Sequence, residues 1–393
     1  MTLDFHTLPI PEVEAALARF RQRLDHAQQT APPSKDWVKR AIHRRGSGQC
    51  PVWIDRLSLD IVLRYGDRLA ELFCRFPDDA VRIAPYDFSI GYQPPGRQPP
   101  ISVAEVHTRD AQWEDEWGTR WGHAVGGVGA TPVDYPLRDW SQLDEYLARL
   151  PDPRAPGRLE KAAAALARHR AARYCMGTIH LTLFERLHAL RGMQNAFTDF
   201  YTHEGPLRRL LEALADYALQ LIRRWGEMGV DAIFLTDDWG SQTALLVSPS
   251  MWRSFFKAHY AAMFAEAHRW NMDVIFHSCG NVLGIVGDLV EIGMDVLDPV
   301  QPGAMDEEEL VRRFGGRVSF CGGIDLQQLL ARGTPQQVRD RVRRVLDLLG
   351  RPFGGGLIVS PANVLTPEIP WENLAALFEA AHAQPSSLAP VWP

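Results

Sequence analysis

Two short segments of the chain carry residue types that can do chemistry together. Asp237-Asp238-Trp239-Gly240 follows the apolar run 231–235, and His277-Ser278-Cys279-Gly280 follows the run 273–276. A His-X-Cys pair at the end of a strand can direct an imidazole and a thiolate to one point. That supplies half of a tetrahedral zinc site, and zinc there would hold a thiol substrate as a thiolate at neutral pH. The same two residues read equally as a hydrogen-bonded histidine and a buried cysteine. Cys321, after another apolar run, is a candidate third ligand or a small core residue. Of the adjacent aspartates, one can enter a site as a proton carrier while the other caps the next segment; both are carried as catalytic candidates beside His277.

Further polar residues follow other apolar runs. Asp55 and Arg56 come after Trp53-Ile54, Gln301 after Asp298-Pro299-Val300, Asp325 after Cys321-Gly322-Gly323-Ile324, and Asn363 after Ser360-Pro361-Ala362. Trp53, Arg56, Trp239, Gln242, Gln301, Asp325 and Asn363 are the expected substrate-binding set. Each also has a plain reading: aromatic packing for Trp239, and satisfaction of loop backbone groups for Gln242, Gln301 and Asp325.

These segments need a frame that brings them to one end. Short apolar runs at 51–54, 80–85, 174–179, 231–235, 273–276, 295–297, 318–320 and 357–359 alternate with amphipathic helical stretches. Continuous apolar strands imply a parallel sheet buried on both faces. Eight such units close into a (β/α)₈ TIM barrel, an α/β fold whose active sites form where the chain leaves the C-terminal strand ends. The alternative, a doubly wound open sheet, lacks a glycine-rich dinucleotide fingerprint. Residues 1–45 read as an N-terminal helical extension, broken at Pro32-Pro33, and 46–393 as the barrel. The stretch 109–135, with Trp113, Trp117, Trp121, Gly126, Gly127 and Gly129, reads as a β-hairpin insertion.

The bulk numbers narrow the function classes. The chain has 393 residues, 46% hydrophobic and 23% charged, with a net charge of −6. A basic excess that would suit nucleic acid or an anionic membrane is missing. No apolar run approaches the roughly 20 residues that span a bilayer, and the first residues do not resemble a secretory signal. The five cysteines, odd in number and irregular in spacing, suit a reducing cytoplasm rather than a disulfide framework.

Over roughly Arg45 to Ala381 the chain resembles the uroporphyrinogen decarboxylase superfamily. The resemblance is carried by Val230-Asp231-Ala232-Ile233 with Asp237-Asp238-Trp239-Gly240, by Ser248-Pro249 with Trp252 and Phe255, and by His277-Ser278-Cys279-Gly280. Gly293-Met294-Asp295-Val296-Leu297, Gly322-Gly323-Ile324-Asp325, Gly333-Thr334-Pro335 and Pro370-Trp371-Glu372-Asn373 complete it. It implies the barrel and a deep mouth at the strand ends. The arginine-rich signature that grips porphyrinogen carboxylates is absent: Trp53-Ile54-Asp55-Arg56-Leu57 stands there. The His-X-Cys pair is similar to that of the corrinoid-dependent methyltransferase branch, in which zinc activates the acceptor thiol. By that resemblance His277 and Cys279 take the first two ligand positions, Gln301 falls near the family's glutamate, and Asn363 falls where a ligand cysteine would sit. Losing a thiolate and a carboxylate weakens zinc binding. Either Cys321 substitutes, or the site is metal-poor and suits demethylation of a small substrate.

Three readings follow. The first is a methyltransferase moving a methyl group between a corrinoid and a small substrate; no Asp-X-His-X-X-Gly cobalamin loop is evident, so a partner protein would carry the corrinoid. The second is a decarboxylase or lyase of a non-porphyrin carboxylic acid, with Arg56 gripping the carboxylate. The third is a barrel that binds a ligand or corrinoid partner without catalysis.

Overall fold

The computed structural model describes residues 8–86, 91–92, 101–123 and 129–384. Seven parallel strands lie in the order β1 (Ala80–Ile83), β5 (Tyr174–Ile179), β6 (Ala232–Thr236), β7 (Asp273–His277), β8 (Val296–Val300), β9 (Ser319–Ile324) and β10 (Leu357–Pro361). The eighth position is filled by the segment around Val52, which bridges Val359 of β10. The Asp79 amide donates to Val52 O at 2.9 Å on the other side. The ring is thereby closed into a (β/α)₈ barrel, as the alternation of apolar runs and helices predicts.

Alternation along each strand sorts its residues into two layers. Trp53, Ala80, Tyr174, Met176, Ala232, Phe234, Ile275, Val296, Cys321 and Ile358 fill the barrel interior. Their neighbours Val52, Ile54, Ile83, Cys175, Ile233, Val274 and Val359 face the surrounding helices. Both layers are dry at this level, which is why the runs read as continuously apolar.

Ahead of the barrel, α1 (Ile10–Thr30) packs against α3 (Leu59–Arg75). The helix α2 (Lys35–Ile42) lies at the N-terminal ends of the strands, where His43 Nε2 meets Asp273 Oδ1 at 2.8 Å. The insertion is a three-stranded antiparallel sheet of β2 (Ala111–Glu114), β3 (Arg120–His123) and β4 (Thr131–Asp134). Asp115 secures its first turn by accepting from the Trp117 and Thr119 amides at 2.9 Å each. Gly126 and Gly127 lie outside the described residues. None of the five cysteines is in a disulfide. Among the described residues, no helix is long and apolar enough to cross a membrane.

Candidate active site

The C-terminal ends of β6, β7 and β8 are tied together by backbone. Asp237 N donates to His277 O at 2.9 Å, and Ser278 N donates to Asp298 O at 2.7 Å. Ser278 Oγ accepts from Trp239 N at 2.9 Å. Gly240 and Gly280 then pass in contact: a Cβ on Gly280, whose φ is +80°, would lie 2.4 Å from Gly240 O. Only glycine permits that approach, and it sets Cys279 opposite Asp238.

The result is a cluster of three ligand-type atoms. Asp238, His277 and Cys279 offer an oxygen, a nitrogen and a sulfur within 4.8 Å of one another. His277 Nε2 is 3.4 Å from Cys279 Sγ and 3.7 Å from Asp238 Oδ1. Asp238 Oδ1 also accepts from the Cys279 amide at 2.8 Å. Asn363 Nδ2 reaches Cys279 Sγ at 3.4 Å, and Gln301 Oε1 accepts from Gly280 N at 2.9 Å. Gln242 stands on the rim, 3.5 Å from Gln301.

Behind the cluster lies a buried ion pair. Asp298 is fully buried between His277, whose Nδ1 is 2.5 Å from Oδ2, and Arg56, whose guanidinium is bound to Oδ1. Burial alone would raise the Asp298 carboxyl, but Arg56 and His277 outweigh it and hold it below the usual range. Burial also works against a charged His277, yet Cys279 and Asp298 prevail and push its imidazole well above its ordinary value. With Nδ1 committed to Asp298, Nε2 is the atom presented to the mouth.

Several expected site residues are placed elsewhere. Asp237, expected as catalytic, is fully buried and turned away. It accepts from the amides of Leu183, Phe184 and Glu185 at 2.7–2.9 Å and from the Tyr260 hydroxyl, capping the helix Phe184–Arg191. Burial raises its carboxyl to about 6 against those donors. Trp239, expected as a substrate wall, is buried and stacked on Phe184 at 4.3 Å, with Nε1 bound to Tyr260. Trp53 is buried inside the barrel, with the Arg56 Cζ 4.2 Å from its ring centroid. Arg56, the expected carboxylate grip, is consumed by Asp298. Asp325 caps the turn that follows it by accepting from Gln327 N and Gln328 N. Cys321, expected as a third ligand, is buried in the interior layer and is not part of the three-donor cluster; burial pushes its thiol well up.

Other residues enter the site that sequence reading passes over. A cavity of about 390 Å³ is lined by Trp113, Trp117 and Trp121 of the insertion and by His180, Glu185 and His188, the last two within reach of the Asp238 charge. Burial, then Arg186, Arg82 and His277, lowers His180 to about 3. Burial lowers His188 to about 4. Burial, then Asp238 and Asp237, raises the Glu185 carboxyl well above its ordinary value. The cavity therefore offers imidazoles that are neutral at pH 7, beside a carboxyl whose charged form burial and the two aspartates disfavour. The strand-end rule that singles out His277 finds His180 too, since β5 ends at Ile179.

With this geometry in place, comparison with known proteins is decisive at the family level. The family model of uroporphyrinogen decarboxylase (URO-D) matches residues 133–384. The chain belongs to the URO-D family. A uroporphyrinogen decarboxylase of Methylococcus capsulatus is 27% identical over 186 residues, 46% of this chain and 50% of the relative. The methylcobamide:CoM methyltransferase MtaA of Methanosarcina barkeri is 27% identical over 169 residues, 43% of this chain and 45% of that one. The chain thus spans about half the length of the curated relatives it matches. A methyltransferase structure from Methanosarcina mazei has the same fold, with a TM-score of 0.62 at 17% identity over 89% of this chain and 98% of the other.

Proposed function

We propose that this URO-D family chain is a methyltransferase that moves a methyl group between a corrinoid held on a partner protein and a small substrate. The observation that carries the reading is the Asp238–His277–Cys279 cluster, with His277 fixed from behind by Asp298. One nitrogen, one sulfur and one oxygen ligand suit zinc with a fourth position open to substrate, the pattern of a catalytic rather than a structural site. Zinc held there would act as a Lewis acid that keeps a thiol or hydroxyl oxygen of the substrate anionic near neutral pH.

The chain's own residues supply the rest. Asp298 holds the His277 proton on Nδ1 and leaves Nε2 for binding. Asp238 keeps the Cys279 loop in place through its amide and shares the mouth as a carboxylate. Glu185, whose carboxyl burial and the two aspartates push well above its ordinary value, lines the cavity as a candidate proton carrier. The insertion sheet covers the cavity with tryptophans and limits water.

A second reading, decarboxylation of a non-porphyrin carboxylate, is favoured by the uroporphyrinogen decarboxylases among the relatives. The two separate in one experiment. Zinc-loaded protein is incubated with methylcobalamin and 2-mercaptoethanol, and in the reverse sense with cob(I)alamin and methylated 2-mercaptoethanol, while the corrinoid spectrum is followed. Conversion that falls at least ~100-fold in His277→Ala is the expected result. No conversion in either direction, with zinc bound, contradicts it.

A further inference from the structure

Two guanidinium groups share the ring of Trp53: Arg56 Cζ lies 4.2 Å from its centroid and Arg82 Cζ 5.9 Å. Their circumstances differ. Arg56 is buried and paired with Asp298. Arg82 is exposed, and among the described residues no hydrogen bond or ion pair is formed by its guanidinium.

That exposure is to the inside of the barrel. Ala80, two residues earlier on β1, belongs to the interior layer with Trp53 and Met176, whereas Val81 and Ile83 pack outward. Alternation puts Arg82 on the side of Ala80, and its register partner on β5 is the inward-facing Met176. Arg82 therefore sits one layer above the dry interior, in the mouth, at the level of Arg56.

Among the described residues, no carboxylate is in ion-pair contact with it. Burial and repulsion by Arg56 lower its pKa, while Asp55 and Asp298 act in the opposite sense. Neither carboxylate is in ion-pair contact with it, and Asp298 is already held by Arg56 and His277. A charged group enclosed by protein without a partner is costly unless a ligand completes it. The planar fork of a guanidinium matches a carboxylate in two parallel hydrogen bonds.

We propose that Arg82 is the anion anchor of this mouth, and that the small substrate carries a carboxylate which Arg82 holds beside the Asp238–His277–Cys279 cluster. The inference rests on the reading of this mouth as the substrate site, but needs neither metal nor methyl transfer, so it can fail while that reading stands.

Phenylglyoxal modification, mapped by peptide mass spectrometry, tests it on the full chain without added zinc. Arg82 is expected to be modified and Arg56 spared. Millimolar methoxyacetate should slow Arg82 modification at least about fivefold, and the neutral methoxyacetamide should not. An unreactive Arg82, or equal protection by both compounds, overturns the proposal. Arg82→Met provides an independent arm. It should keep or raise the melting temperature, because Arg56 loses a like-charged neighbour. A fall of more than about 3 °C would mark Arg82 as a structural partner instead.

Discussion

Asp298 Oδ2 lies 2.5 Å from His277 Nδ1, with Arg56 on the other carboxylate oxygen. One buried carboxylate thus both orients the imidazole and neutralises a buried guanidinium. Asp298→Ala removes both functions. Leaving Arg56 buried without its partner should destabilise the fold by about 3–5 kcal/mol in urea unfolding. The isosteric Asp298→Asn should cost less stability yet still weaken zinc binding about 10–100-fold. Unchanged zinc affinity in Asp298→Asn would mean that His277 is not oriented by this contact for ligation.

The paired aspartates should separate cleanly by measurement. Asp237→Ala strips acceptors from three helix-entry amides and the Tyr260 hydroxyl. It should lower stability by about 2–3 kcal/mol, since buried donors are left unsatisfied. Asp238→Asn, on a half-exposed side chain, should leave stability within about 0.5 kcal/mol and reduce zinc affinity and turnover. The reverse pattern would exchange their roles.

Asp79 gives a pH signature remote from the site. It accepts from the Val52 amide at 2.9 Å where the barrel closes. Burial raises its carboxyl to about 7 against that hydrogen bond and Arg173. The native state therefore holds this proton more tightly than the unfolded chain. Its contribution to stability is complete below about pH 4, the ordinary carboxyl value, and is lost as pH rises through 7. Asp79→Asn should flatten the fall in unfolding free energy between pH 4 and 8 by on the order of 3–4 kcal/mol. An identical slope in both proteins would contradict the assignment.

The barrel is legible in the sequence because its strands are dry on both faces, so each reads as an apolar run of strand length between helices. The insertion is legible for a different reason, its density of tryptophans and glycines, and Trp113 pairs with Trp121 across β2 and β3; where a hairpin is expected, a third strand, β4, joins the sheet. His277 and Cys279 come together at the mouth, with Asp238 beside them. Direction is what sequence leaves open. The strand-end rule identifies which end of the barrel a residue occupies but not which way it turns, and where strand gives way to loop the alternation no longer applies. Asp237 and Asp238 are neighbours, yet one caps a helix and the other faces the cluster. Trp53 and Arg56 turn into the barrel, where the interior needs bulk and a counter-charge for Asp298, while Trp239 turns the other way and packs among Phe184, Phe256 and Tyr260 of the surrounding helices. Arg82 is hidden for the opposite reason: on a short strand an isolated arginine reads as a solvated side chain, and only closure of the ring turns its side inward.

The central claim is that His277 and Cys279 hold a metal with Asp238. Zinc content of purified protein, measured beside Cys279→Ala, His277→Ala and Cys321→Ala, tests it most directly. The wild type and Cys321→Ala should each carry about one zinc per chain, and the other two variants should lose most of it. Equal zinc in all four proteins, or none in a correctly folded wild type supplied with the metal, would contradict it.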